Sequence, residues 1–271
     1  MVLFPYCKIN IGLDILARRT DGFHEIVTAM FPVRGLCDIL EIVKADRGVG
    51  FSSSGLAIDC PPEKNICVKA YELMADRYAI GGARIHLHKV IPFGAGLGGG
   101  SADAAFVIKG LNELYGLGLD TAEMERLAAE TGSDTAFFIS GTPQIARGRG
   151  EKLSPAHIDL SGKTLVIVKP PIAVSTAEAY AGVVPHIPPI GLAERLTADI
   201  SQWRGLITND FERHIFAARP ELPAIKDKLY ASGAVYAAMS GSGSAIYGLF
   251  DTPPAQIEDQ FEGFVHSETI A

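Results

Sequence analysis

Residues 92–101, Pro92-Phe93-Gly94-Ala95-Gly96-Leu97-Gly98-Gly99-Gly100-Ser101, constrain the fold more than any other stretch of the chain. Five glycines in seven residues separate two segments of different periodicity. Before them, residues 83–88 set Ile85 and Leu87 against Arg84, His86 and His88, an alternation that predicts a strand. After them, Ala105, Ile108, Leu111 and Tyr115 recur at three- and four-residue intervals, which predicts a helix from Ser101 with Gly116 as its C′ residue. Glycine tolerates positive φ and lets a bulky group approach where a Cβ would block it. The helix that follows presents unpaired N–H groups and the positive end of its dipole. Strand, glycine loop and helix in this order predict a phosphate site, with Ser101 as N-cap or phosphate donor. A flexible glycine hinge is the plainer alternative. Two common phosphate loops are excluded: no Gly-Lys-Ser/Thr closes the run, and the upstream strand alternates instead of running apolar.

The rest of the chain alternates strands and helices. Residues 3–16 predict a half-buried strand, with Ile9, Ile11, Leu13 and Ile15 on one face and Lys8, Asn10 and Asp14 on the other. Strands are expected at about 26–33 and 38–44, then turns at Ser52-Ser53-Ser54-Gly55 and a helix over 65–78. Asp120 to Glu123 reads as a capping box that opens a helix ending near Gly132. Beyond Ser154-Pro155 the pattern predicts a strand at 165–168, helices near 176–182, 191–203 and 222–231, and strands at 234–239 and 244–250. The fold class expected is α+β with mixed or antiparallel sheets, in two domains, 1–154 and 155–271, with a cleft between them.

Composition narrows the function. At 271 residues the chain can bury a core without disulfides. Cys7, Cys37, Cys60 and Cys67 form no C-x-x-C pair and no metal-ligand spacing with the histidines, so reduced thiols and no protein metal site are expected. No apolar run approaches the roughly 20 residues needed to span a bilayer. The first eight residues lack a basic n-region, so a cytoplasmic enzyme with no membrane partner is expected. A net charge of −7 speaks against nucleic acid, whose backbone requires clustered Lys and Arg. Nucleotide binding remains open, since backbone amides hold phosphate without any excess of lysine.

Several segments together resemble the GHMP kinases. Residues 92–101 look like the second motif of that superfamily, and Met239-Ser240-Gly241-Ser242-Gly243-Ser244 looks like the third, although alone it reads equally as a hairpin turn. Lys8-Ile9-Asn10-Ile11, Arg19-Thr20-Asp21-Gly22-Phe23-His24, Gly132-Ser133-Asp134-Thr135-Ala136-Phe137-Phe138, Gly148-Arg149-Gly150-Glu151 and Asn209-Asp210-Phe211-Glu212 are similar to one branch of it. That branch acts on 4-diphosphocytidyl-2-C-methyl-D-erythritol in the non-mevalonate route to isoprenoids. The resemblance implies a two-domain GHMP kinase fold, with an N-terminal domain like ribosomal protein S5 domain 2 and a ferredoxin-like C-terminal domain. It implies transfer of the ATP γ-phosphoryl to the substrate 2-hydroxyl. Homoserine- and mevalonate-type kinases share the loop but have no use for residues 21–24, and a non-catalytic nucleotide-binding regulator is the reading from another class.

Site residues follow by resemblance. A plain N-cap is the alternative reading of Asp134, and on local pattern alone Lys8 reads as a solvated lysine guarding an edge strand. The resemblance makes Asp134 the base for the acceptor hydroxyl, and Lys8 the cation that supports its negative charge and that of the transition state. It places ATP on residues 92–101 and Ala102, with Asn65 and Lys89 near the adenine and ribose. It places the cytidine diphosphate-linked substrate on Asn10, Asp21, Gly22, Phe23, His24, Thr176, Tyr180, Gly241 and Ser242. Phe23 stands where many members carry Tyr and is expected to stack on the base, which contributes about 1–3 kcal/mol. Tyr180 would supply the opposite face and Thr176 would touch the diphosphate or hydroxyl. Ala102 stands where a second serine is more usual, so Mg²⁺ is expected to be held mainly through ATP and water. The chain is expected to be a monomer or homodimer.

Overall fold

In the computed structural model of the chain, which describes residues 1–271, the polar positions of the first long strand are buried with the apolar ones. After β1 (Val2–Leu3), β2 (Tyr6–Arg18) is buried on both faces from Tyr6 to Ile15. Lys8, Asn10 and Asp14, read from alternation as the wet face of a half-buried strand, are only 2–3% exposed. Each meets a polar partner supplied from far along the chain: Asp134 for Lys8, Thr28 and Ser240 for Asn10, Arg195 for Asp14. Buried polar groups persist where they are paired. Alternation thus reported two chemically different faces, not a dry and a wet one.

The chain forms two compact units, each gathered from separated segments. The first comprises Met1–Lys8, Pro32–Phe93 and Gly98–Thr142; the second comprises Ile9–Phe31, Gly94–Leu97 and Pro143–Ala271. Residue 154, where composition suggested a boundary, lies inside the second. β2 and β3 (His24–Cys37) each run from one unit into the other.

The first unit continues through β4 (Ile39–Ala45), β5 (Val49–Gly55), α1 (Ile66–Tyr78), β6 (Gly82–Lys89), α2 (Gly99–Tyr115), α3 (Thr121–Thr131) and α4 (Phe137–Ser140). Its sheet has the order β1-β4-β6-β5, with β5 parallel to β6 and the other neighbours antiparallel. Leu40, Ile42, Ile85 and Leu87 form its buried face, and α2 packs on β4 and α1. β5 corrects the expected turn at 52–55. Its serines bond across the ladder, Ser52 Oγ to His86 Nδ1 at 2.8 Å and Ser54 Oγ to both His86 and His88 at 3.0 Å, so hydroxyls that favour local turns are satisfied by the neighbouring strand. Asp120 caps α3 through the Glu123 N–H and Gly116 ends α2 at φ 63°, as the sequence signals predict.

The second unit adds β7 (Gln144–Gly148) and β8 (Lys152–Pro155) to the β2-β3-β7-β8 sheet. Then follow β9 (Thr164–Lys169), α5 (Thr176–Ala181), α6 (Leu192–Arg195), α7 (Asp210–Ala218), α8 (Glu221–Ala231), β10 (Tyr236–Met239), β11 (Ile246–Phe250) and β12 (Phe264–Thr269). The last four strands form an antiparallel sheet of order β10-β11-β9-β12. Val166, Val168, Phe211, Ile215, Leu222, Leu229 and Ile246 lie in its core. The helix expected over 191–203 breaks into α6 and a 3₁₀ turn, Ile200–Gln202, because Thr197 Oγ donates back to the Glu194 carbonyl and Asp199 caps a new turn at Ser201. No helix is long and apolar enough to cross a membrane.

Candidate active site

α2 starts at Gly99, two residues earlier than its periodicity indicates, with Gly98 as N-cap at φ 72°. Ser101 therefore lies in the first turn and does not cap it. The first intrahelical bond runs from the Ala102 N–H to the Gly98 carbonyl at 2.9 Å. This leaves the N–H groups of Gly99, Gly100 and Ser101 at the helix head outside the helical ladder. Only glycine suits position 98, because a Cβ there would stand 2.9 Å from Phe138 Cζ and 3.2 Å from Lys8 Cε. Lys8 thus lies directly against the head of α2.

Lys8 Nζ is 3.5 Å from Asp134 Oδ2; the lysine side chain is 3% exposed and the aspartate 32%. A buried ammonium faces a carboxylate that reaches solvent. Asp134 sits in the turn between α3 and α4, and the N-cap of α4 is Ala136, so Asp134 is not capping that helix. Gly132 brings this turn against α2, since a Cβ on it would lie 3.7 Å from Ser101 Oγ. Anion-binding amides, an ammonium and an accessible carboxylate therefore converge within the first unit. Such a set can hold a phosphate, stabilise charge on it and accept a proton beside it.

Two residues expected near the adenine and ribose have their polar groups engaged elsewhere. Lys89 is buried and donates to Asp38 and to Asp103, the latter at 2.8 Å. Asp38 also accepts the N–H groups of Val90 at 2.6 Å and Ile91 at 2.8 Å. Burial pulls the Lys89 pKa down, but Asp103 and Asp38 outweigh it and hold the ammonium above the usual lysine range. Burial pushes the Asp103 carboxyl up, only partly countered by Lys89. A Cβ on Gly99 would meet Lys89 Nζ at 3.0 Å, so this ion cluster lies beneath the helix head instead of offering a charge to a ribose. Asn65 Oδ1 caps α1 through the Cys67 N–H at 2.9 Å.

Residues 94–97 are held within the second unit. Ser240 Oγ donates to the Gly96 carbonyl at 2.9 Å, and the N–H groups of Ser244 and Ala245 donate to the Gly94 and Ala95 carbonyls at 3.2 Å each. A Cβ on Gly96 would fall 1.9 Å from the Ser240 carbonyl oxygen. The turn through Gly241 and Ser242 joins β10 to β11, as the hairpin reading has it, and also clamps the loop. Asn209 Nδ2 donates to the Met239 and Gly241 carbonyls at 2.8 Å, and Glu212 accepts the Met239 N–H at 2.8 Å. Asn10 stands beside this turn: its N–H donates to Ser240 Oγ at 3.2 Å and its carbonyl accepts from Tyr247 at 3.0 Å.

The segment expected to read the base forms a separate cluster in the same unit. Gly22 takes φ 86°, and Asp21 accepts the Phe23 N–H at 3.1 Å while pairing with Arg19 at 2.9 Å. Phe23 is 53% exposed, with the Arg149 guanidinium 5.0 Å from its ring centroid. Tyr180 stacks on His24, centroids 4.8 Å apart and planes 20° apart, and meets Phe211 edge-on at 4.9 Å. Burial, with the charge of Arg18, lowers the His24 pKa below its usual 6.5. Thr176 opens α5 as an exposed residue beside the true cap, Ser175.

Family comparisons match this arrangement. The GHMP kinases N terminal domain matches residues 65–142 and the GHMP kinases C terminal domain matches residues 192–265. The 4-diphosphocytidyl-2-C-methyl-D-erythritol kinase of Parabacteroides distasonis is 47% identical over 93% of this chain and 93% of its own. That of Cytophaga hutchinsonii is 45% identical over 94% of each. A crystal structure of 4-(cytidine 5'-diphospho)-2C-methyl-D-erythritol kinase shares 32% identity over 98% of both chains, with a TM-score of 0.81. The chain belongs to the 4-diphosphocytidyl-2-C-methyl-D-erythritol kinase family. A homoserine kinase from Cytophaga hutchinsonii, 20% identical over 98% of this chain and 94% of its own with a TM-score of 0.74, shares the fold alone. The expected GHMP kinase fold and the ATP-dependent kinase class both hold.

For this 4-diphosphocytidyl-2-C-methyl-D-erythritol kinase family member, sequence reasoning missed five supporting residues. Asp38 and Asp103 escaped because their joint partner, Lys89, is reached only through the tertiary fold. Arg149 lay inside a motif singled out as Gly148-Arg149-Gly150-Glu151, and a cation between two glycines beside an aromatic segment was the available signal. Asn209 and Glu212, noted only as a signature, hold the 239–241 turn.

Proposed function

We propose that the chain transfers the γ-phosphoryl group of ATP to the 2-hydroxyl of 4-diphosphocytidyl-2-C-methyl-D-erythritol, as a cytoplasmic enzyme of isoprenoid precursor synthesis. The observation that carries the reading is the Lys8–Asp134 pair set against the head of α2. The N–H groups of Gly99, Gly100 and Ser101 receive phosphate oxygens. Asp134 accepts the proton of the acceptor hydroxyl as its oxygen bonds to phosphorus and the bond to ADP breaks. Lys8, buried and fixed by packing against Gly98, stabilises negative charge on the transferring group without reorganising.

The residues present fit Mg²⁺ of the kind these kinases use. The Ser101 hydroxyl lies beside the turn that carries Asp134, so two hard oxygen donors stand near the helix head. Oxygen donors in that number suit a hard ion that keeps ATP oxygens and water as its main ligands. When bound, it neutralises charge on the β- and γ-phosphates. At the other end of the substrate, Phe23 and the His24–Tyr180 stack supply aromatic surface for cytosine, with Arg149 backing the Phe23 ring. Asn10, Gly241 and Ser242 are assigned to the substrate side of the glycine turn.

ADP release, measured with purified protein, ATP and Mg²⁺, decides the assignment. Turnover is expected with 4-diphosphocytidyl-2-C-methyl-D-erythritol and not with mevalonate or homoserine. Comparable turnover of either of the latter would overturn the substrate.

A further inference from the structure

We propose that Lys109 is a positioning residue for phosphoryl transfer: it ties the segment carrying Asp134 to the same helix whose head receives the phosphates. The inference rests on the reading of Asp134 as the proton acceptor. α4 is a single turn, too short to hold itself together, and its last carbonyls lack helical partners. Lys109 Nζ donates to the carbonyls of Phe138 at 3.1 Å and Ile139 at 3.0 Å. Arg34 Nη2 donates to the Gly141 carbonyl at 2.6 Å, and the Gly141 N–H returns to Phe137 at 3.0 Å.

The segment between Asp134 and these anchored carbonyls has no slack. The Thr135 N–H bonds to the Gly132 carbonyl at 3.2 Å, the Phe138 N–H to Thr135 at 3.1 Å and the Ile139 N–H to Ala136 at 3.1 Å. Movement at the anchored end is therefore carried to Asp134. Lys109 stands on α2 ten residues beyond Gly99, about 15 Å along the helix axis. One rigid helix thus presents amides at its head and, along its length, grips α4, the helical turn that directly follows the segment bearing the carboxylate. The separation between phosphate cradle and base is set by that grip.

Lys109 is half-buried under the Phe106 ring, 4.8 Å from its centroid. Burial, with the charge of Arg34, lowers its pKa, so a cation is kept where an apolar side chain would fill the space without that cost. The plain alternative is a C-terminal cap that stabilises α4 and has no bearing on chemistry.

Steady-state kinetics of Lys109→Met, Lys109→Arg and Asp134→Asn, singly and combined, separate the two. Lys109→Met is expected to lower kcat about ten- to a hundredfold, the scale of a misplaced catalytic group. Its KM for ATP stays within about twofold, because the amides at the helix head are untouched. Lys109→Arg, which still donates to both carbonyls, recovers most of the rate. In the Asp134→Asn background the methionine change alters the residual rate less than about twofold, as expected for two residues acting as one unit. Lys109→Gln, which keeps one donor, carries the same test where the methionine variant does not fold. An unchanged kcat in Lys109→Met while Asp134→Asn is strongly impaired overturns the inference alone, and so do equal losses in both backgrounds. Parental kcat in Asp134→Asn overturns the catalytic reading of Asp134 instead.

Discussion

Alanine at position 98 would need space that Phe138 and Lys8 already fill. Its Cβ would stand 2.9 Å from Phe138 Cζ and 3.2 Å from both Lys8 Cε and Lys8 Cγ. Carbon atoms in good contact sit about 3.5–4.0 Å apart, so one or both neighbours must retreat by roughly half an ångström. Phe138 is fully buried, edge-on to Phe137 at 5.1 Å and tilted against Tyr6 at 5.8 Å, and has nowhere to go. Lys8 is the flexible partner and moves. Position 98 also holds φ 72°, a left-handed conformation that costs a residue with a Cβ about 1–2 kcal/mol. Overpacking adds roughly 1–3 kcal/mol. Gly98→Ala should therefore lose about 2–5 kcal/mol of stability, or roughly 4–20 °C in Tm.

The same shift displaces the Lys8 ammonium from Asp134. A misplacement of about 1 Å can cost a hundredfold in rate, so half of that predicts a fall in kcat of roughly tenfold. Coupled measurement of ADP release, well below the melting transition, reads this without interference from unfolding. Gly118→Ala is the matched control: it carries φ 69° but has nothing within 4 Å of the added methyl. It should lose the backbone share of the stability and none of the rate. Parental kcat in Gly98→Ala, with a Tm loss no larger than that of Gly118→Ala, would refute the claim that Gly98 packs Lys8 into place.

Three further outcomes follow from the same geometry. Asp134→Asn should lower kcat by about 10²–10⁴ while leaving the Kd of a non-hydrolysable ATP analogue unchanged by calorimetry. Phe23→Ala should raise KM for the cytidine substrate by about 1–3 kcal/mol, roughly five- to a hundredfold, with the KM for ATP unmoved; an unchanged substrate KM would remove Phe23 from the base site. Lys89→Met leaves Asp38 and Asp103 buried together without their cation and should cost about 3–5 kcal/mol in denaturant unfolding, whereas Asp103→Asn should cost far less. Because the Lys89 pKa is raised above 10.5, its contribution is complete below that value and is lost as pH rises through the higher, folded-state value. Parent protein should show that alkaline loss of stability in thermal melts, and Lys89→Met should lack it.

What the chain revealed in advance was whatever its own neighbours along the sequence determine. Gly116 and Asp120 terminate and open helices through bonds to residues within a few positions, so their residue types announce them. The glycine loop was equally legible, although the reason for each glycine was not. Gly96 is required by the Ser240 carbonyl and Gly98 by Phe138 and Lys8, partners far away in sequence. Strand β5 was misread because serine signals a turn only when its hydroxyl has no strand partner, and His86 and His88 supply one. β12 passed unnoticed because it owes its place to the sheet it joins, and α7 did so although Asn209 caps it through the Phe211 N–H.

Lys8 and Lys89 show where pattern reading stops. Both lie on strands of alternating pattern, both were assigned to the site, and both are buried. They differ in the carboxylates that fold onto them. Lys89 meets two buried aspartates, so its charge is balanced before any ligand arrives, and an approaching phosphate meets no net attraction from the cluster. Lys8 faces a carboxylate that is itself open to solvent and committed, in the proposed reaction, to taking up a proton. As that proton arrives the aspartate's charge is neutralised, and the field of Lys8 acts more fully on the transferring group at the moment negative charge develops there. In the proposed reaction a strand lysine acts through the accessibility of its partner, which no local pattern encodes.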